Sequence, residues 1–130
     1  MPRKKTVQQI SAFQFDLKSR VISWKNGTTE IKMSNQNCSH ALVDSKGTIV
    51  VLLIKNEGAD KSELIGFDSI GQQNFKSFPP RGYRFSHLTL HPKAQIAVVC
   101  GGEEEVDGWY DWHFSIQPET GELKRIYPAY

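Results

Sequence analysis

The chain reads as all-β: tandem four-stranded antiparallel β-meanders, forming a partial ring or a small sandwich. Three observations predict this: period-two patterning, a repeated strand–turn–strand unit, and no helical stripe of useful length. In Phe13-Gln14-Phe15-Asp16-Leu17 and in Val21-Ile22-Ser23-Trp24 alternate side chains are apolar, as half-buried strands require. Asn26-Gly27 then falls between Trp24 and the run Thr28–Met33. Both residues tolerate positive φ, so the pair predicts a type I′ hairpin turn. Ile49-Val50-Val51-Leu52-Leu53-Ile54 and Ile96-Ala97-Val98-Val99-Cys100 are unbroken apolar runs. Short runs of this kind, rich in Val and Ile, predict central strands covered on both faces. Residues 6–12 make one short helical turn at most.

An internal repeat organises these elements. Ser39–Leu52 aligns with Ser86–Val99 at an offset of 47, with Ser, His, Lys, Ile and Val recurring. The second halves correspond as well. Ile65-Gly66-Phe67-Asp68 leads by a glycine turn to Phe75-Lys76-Ser77-Phe78-Pro79, and Phe114-Ser115-Ile116-Gln117 leads by Pro118-Glu119-Thr120-Gly121 to Leu123–Pro128. Phe13–Asp16 with Val21–Trp24 is a fainter copy of that second half. The chain therefore divides into a partial unit with a hairpin (1–34) and two full units (38–80 and 85–128), within a single all-β domain 1–130. Four short strands in about 40 to 50 residues is the period of a propeller blade.

The second unit resembles a blade of the lactonase-type propellers. The residues that carry the likeness are Pro80-Arg81-Gly82, the buried strands between Phe85 and Val99, and Phe114-Ser115-Ile116-Gln117-Pro118-Glu119-Thr120-Gly121-Glu122-Leu123. The likeness covers residues 38–128 and implies a structural blade rather than a site. Two and a half blades cannot close a ring, because propellers take four to eight. The family's catalytic carboxylates and metal ligands come from several blades around a channel, which this chain alone does not build. Three arrangements remain: protomers completing a ring, two sheets packed face to face, or an open stack. In the last, residues 1–12, Thr6-Val7-Gln8-Gln9 among them, and residues 128–130 would cover strand edges that otherwise invite aggregation.

Composition narrows the setting. The chain has 130 residues, 38% of them hydrophobic, enough for a core without staples. No apolar run approaches the ~18 residues of a membrane helix. Met-Pro-Arg-Lys-Lys is basic, but polar residues follow where a signal peptide turns apolar. Cys38 and Cys100 read as reduced thiols, and the expected location is cytoplasmic. Charge is polarised along the chain. Residues 1–32 hold seven Lys/Arg against two acidic residues, net +5, and residues 101–130 hold two against seven, net −5.

Catalytic signatures are missing. His40 and His87 occupy equivalent repeat positions, which points to structural hydrogen bonds. His87 and His91 lie about 13 Å apart on a strand, too far to share a zinc ion. Asp111 and His113 share a face, yet no nucleophile motif accompanies them. Gly101-Gly102 runs into Glu103-Glu104-Glu105, which repels a phosphate, and these carboxylates lack the spacing of a calcium loop. No enzyme activity, metal or cofactor is expected. Basic and aromatic residues are not interleaved, which argues against nucleic acid.

One segment has the composition of a contact surface. Glu103, Glu104, Glu105, Asp107, Trp109, Tyr110 and Asp111 place acid and large aromatics around Gly108, in what reads as a long connection between two strands. Trp109, Asp111 and His113 fall on one strand face, and Tyr110, Trp112 and Phe114 on the other. The expected function is non-catalytic binding of a protein partner, as by a stoichiometric inhibitor or an immunity protein facing the basic domain of a cognate bacterial toxin. The alternatives are an oligomeric lectin-like protein and a lactonase-like hydrolase.

Overall fold

The computed structural model describes residues 9–56, 62–93 and 95–129. Every regular element among them is a strand, and all pairing is antiparallel. β1 (Ile10–Asp16), β2 (Val21–Asn26) and β3 (Thr29–Ser34) form the first sheet. β4 (Cys38–Val43), β5 (Ile49–Lys55), β6 (Ser62–Asp68) and β7 (Gln73–Ser77) form the second. β8 (Tyr83–His91), β9 (Gln95–Val106), β10 (Trp109–Ile116) and β11 (Leu123–Pro128) form the third. Within each sheet the strands follow one another in sequence order, so each sheet is a meander. Residues 10–12, where at most a helical turn was expected, open β1 instead. The proposed edge covers at 1–8 and 130 lie outside the described residues.

The sheets stack as three layers with the second in the middle. Its Ile49, Val51, Leu53, Leu64 and Phe75 pack against Phe85, Leu88, Ile96, Val98, Cys100, Trp112, Phe114 and Ile116 of the third. Its opposite face, with Cys38, Ala41, Val50, Leu52, Ile54 and Ile65, packs on Ile10, Ile22 and Trp24 of the first. Both faces of β5 are therefore buried, and Ile49–Ile54 is buried throughout, as its unbroken apolar run requires.

The ladders correct the register of the repeat. Leu52 pairs with Ala41 on one side and Ile65 on the other in the second sheet, and Val98 pairs with Leu88 and Phe114 in the third. First strands are thus offset by 47, but second strands by 46, so Val50 rather than Ile49 corresponds to Ile96. Six residues (44–49) separate the paired Val43 and Val50, whereas five (91–95) separate Leu90 and Ile96. A one-residue slip exchanges the two faces of a strand. Alignment at a constant 47 puts Val51 and Val98 in one class, although they face each other across the interface. Both first strands also carry the same irregularity, between Cys38 and His40 and between Phe85 and His87.

Three contacts correct the reading of the partial unit. The Ile10 amide donates to the Gly47 carbonyl of the second sheet, much as the Ser45 amide, just before β5, donates to the Gln95 side chain of the third. Arg20, after β1, donates to the Cys38 carbonyl, as Lys55 at the end of β5 donates to that of Ser86. Gly71 lies against Ile31 of β3, as Gly121 lies against Phe75 of β7. By these contacts β1, β2 and β3 take the places of β5, β6 and β7. Among the described residues the first sheet shows no counterpart of β4 and β8, and Phe13–Asp16 is a second strand rather than a third.

Turn chemistry follows the carboxylates that end the strands. The Asp44 carboxylate is buried and accepts from the Thr48 and Ile49 amides and the Thr48 hydroxyl. Asp68 accepts from Ile70 and Gln72. Asp16 accepts from Lys18 and Ser19, and these backbone donors hold its carboxyl below the usual aspartate range. The first hairpin differs from the expected type I′ turn. Asn26 pairs with Thr29, which leaves Gly27 and Thr28 in the turn. Gly27 has φ +64 while Asn26 and Thr28 do not adopt positive φ, the pattern of a type II′ turn with glycine first.

Candidate functional site

The acidic and aromatic segment is a hairpin rather than a long connection. β9 is 12 residues long and runs through the three glutamates to Val106, which pairs directly with Trp109. Only Asp107 and Gly108 form the turn, at φ +50 and +88. Two positive φ values are the demand of a type I′ turn, and Asp-Gly meets it. That dipeptide was the available signal that the segment is strand.

Register is lost just behind the tip. After Val106–Trp109 the next pair is Gly101–Asp111, so residues 102–105 of β9 stand opposite Tyr110 alone. Such a bulge swings side chains out of the ladder. It holds Glu103, Glu104 and Glu105, all exposed. Two features fix it in place. The Glu103 amide donates to the Gly82 carbonyl at 2.9 Å. Gly102 lies so close to β10 that a Cβ there would fall 2.6 Å from the Tyr110 carbonyl oxygen.

The two tryptophans of the segment divide. Trp112 is 7% exposed and belongs to the core, with its indole N–H on the Trp109 carbonyl at 3.1 Å. Trp109 and Tyr110 are 38% and 52% exposed. The bulge breaks strict alternation, so Tyr110 does not follow Trp112 and Phe114 inward. Asp107 is exposed at the tip, and Asp111 is exposed behind the bulge. The seven residues singled out in the sequence thus lie together on one hairpin.

At its foot is a groove of about 360 Å³ lined by Arg81, Gly82, Tyr83, Glu103, Glu104, Val106 and Arg125. The Arg125 guanidinium lies over the Trp112 ring at 4.7 Å and reaches the Tyr83 hydroxyl at 3.4 Å. Arg81, Tyr83 and Arg125 were not singled out from sequence as contact residues. They come from two separate stretches of chain, Arg81 and Tyr83 around the start of β8 and Arg125 on β11, and only pairing of β8, β9, β10 and β11 brings them together.

The histidines are disposed by the stack. His40 Nδ1 accepts the Leu88 amide at 3.2 Å, joining the second sheet to the third. Burial, and then His87, hold His40 below the ordinary histidine range. Its repeat counterpart His87 is exposed and, among the described residues, hydrogen-bonds its neighbour Ser86 at 2.9 Å. His91 stacks on Tyr127 with ring centroids 4.9 Å apart, and lies 5.4 Å from His113. Cys38 and Cys100 are free thiols, pushed up to about 11 and about 12 by burial.

Among the described residues no group of three or more His, Cys, Asp or Glu is placed to hold a metal ion. No helix among them is long and apolar enough to cross a membrane. No family model, curated protein or solved structure matches the chain. The likeness to lactonase-type blades therefore rests on strand and turn pattern alone.

Proposed function

We propose that this chain is a non-catalytic protein-binding module whose β9–β10 hairpin engages a basic protein partner. The observation that supports this is the hairpin: five exposed carboxylates beside two exposed aromatics, braced by a fixed bulge and a buried Trp112. Carboxylates at the rim would steer a basic partner, and aromatics held on a rigid strand pair would supply the lasting contact. A stoichiometric inhibitor, such as an immunity protein neutralising a bacterial toxin in the cytoplasm, has this profile. A ring-forming lectin-like protein is supported less, because ring closure needs apolar faces at both ends of the stack. Here the outer faces carry Gln14, Ser23 and Lys32 at one end and Thr89, Ser115 and Lys124 at the other.

The test takes as candidate partner a basic protein encoded beside this chain and measures association by surface plasmon resonance. Joint replacement of Glu103, Glu104 and Glu105 by glutamine should slow association and flatten its salt dependence. Trp109→Ala or Tyr110→Ala should speed dissociation, with a loss of about 2 kcal/mol for a residue that anchors the complex. If a partner binds and all three variants bind like the parent chain, the hairpin is not the contact surface.

A further inference from the structure

A second opening lies at the opposite end of the third sheet, where the β4–β5 turn meets the start of β9. It is a cleft of about 210 Å³ between the second and third sheets. Buried Ile49, Val51, Ile96 and Ile116 form its floor, and Asp44, Lys46, Thr48, Gln95 and Pro118 complete it. At the corresponding junction between the first and second sheets the two backbones meet directly. There the Ile10 amide bonds the Gly47 carbonyl at 2.8 Å, and a Cβ on Gly47 would fall 3.1 Å from the Ile10 carbonyl oxygen. At the open junction Gln95 replaces that direct backbone contact. It takes φ +61, which a non-glycine residue holds only against strain. From there its side-chain oxygen accepts from the Ser45 amide and hydroxyl. The two turns are thus joined by a side-chain strut, and the space beside it stays open.

Charge at the mouth selects the occupant. The Asp44 carboxylate is consumed by three hydrogen bonds within its own turn. Lys46 is exposed and makes no ion pair among the described residues. We propose that this cleft binds a small carboxylate with an unbranched apolar body, its chain on the isoleucine floor and its carboxylate on Lys46. The volume corresponds to roughly seven water molecules at about 30 Å³ each, which suits a chain of about six carbons. Such a ligand gains from apolar burial and from one charge-assisted hydrogen bond. Its dissociation constant should be of millimolar order.

The experiment follows ¹³C-labelled isoleucine methyls during titration with hexanoate and, separately, hexylamine. Hexanoate should move the Ile49, Ile96 and Ile116 signals to saturation, and hexylamine should bind about tenfold more weakly or worse. Lys46→Gln, an exposed change that leaves the fold intact, should weaken hexanoate about tenfold and leave hexylamine unaffected. Equal titration by acid and amine reveals apolar partitioning alone and overturns the proposal. So does an unaffected Lys46→Gln variant, or no movement of the three signals at tens of millimolar hexanoate. Partner binding at the hairpin does not enter this readout.

Discussion

The second and third sheets are copies of one unit with opposite outer faces. In the second, two rungs face the third sheet: Leu42–Val51–Gly66–Phe75 and His40–Leu53–Leu64–Ser77. The same rungs of the third sheet read Thr89–Ala97–Ser115–Lys124 and His87–Val99–His113–Tyr127. Leucines become Thr, Val and His, and the Phe75 that lies across Gly66 becomes Lys124 beside Ser115. The rungs facing back toward the preceding sheet stay apolar in both, as in Ala41–Leu52–Ile65 and Leu88–Val98–Phe114. The outer face of the third sheet is therefore polar, the character that outward faces of repeat units take when they meet water. His91 and Tyr127 complete that finish by stacking on each other over the outer face, with Lys93 above the Tyr127 ring at 5.8 Å.

If that contrast sets stability, exchanging one corresponding pair should act in opposite ways. Leu64→His removes a fully buried leucine and buries an imidazole, so we expect a loss above about 4 kcal/mol and a largely unfolded chain. His113→Leu, at the matching position of the third sheet, should change stability by less than about 1 kcal/mol, since it leaves no buried group unpaired. It should also raise self-association by adding apolar surface to the open end. Urea melts and light scattering read both. Comparable losses from the two variants would show that the outer face of the third sheet is core.

Much of this layout was legible in the chain. Strand type, the buried runs Ile49–Ile54 and Ile96–Cys100, and the two full units all follow from local patterning. What sequence misplaced was register. The Ile49/Ile96 and Val51/Val98 matches are chemically attractive but pair residues from opposite faces, because one residue fewer lies between the first two strands of the third sheet. Propensity does not see a single deletion in a turn; pairing and burial do. The hairpin segment was found by composition and misread as loop. Its three glutamates carry no strand signal, and a bulge rather than alternation sets their direction.

The two nearby tryptophans sharpen the line between core and surface within the third sheet. Trp112→Ala should cost about 3 kcal/mol, since the ring is buried beneath Arg125 and beside Phe114. Trp109→Ala should cost less than Trp112→Ala, about 1 kcal/mol, because Trp109 is 38% exposed where Trp112 is 7%. Differential scanning calorimetry distinguishes them. A melting temperature lowered equally by both changes would make Trp109 a packing residue and remove it from the proposed contact surface.

The smallest effect tests the joint between the compared sheets. His40 Nδ1 can accept the Leu88 amide only while that nitrogen is unprotonated. Burial first, and His87 second, disfavour the charged imidazole in the folded chain. Arg20, on the Cys38 carbonyl, and Lys55, on the Ser86 carbonyl, bring further positive charge to the same pair of first strands. With the folded value below the ordinary 6.5, the unfolded chain takes up its proton first as pH falls. Stability from this group is therefore complete above about pH 6.5 and declines below it, until the folded value is passed. His40→Gln should remove that part of the decline between pH 7.5 and 5.5, while His87→Gln, at the exposed counterpart, should leave most of it. Urea melts at several pH values give the slopes. If His40→Gln keeps the full slope and His87→Gln abolishes it, the titrating group is on the outer face, and the His40–Leu88 bond contributes nothing to holding the third sheet.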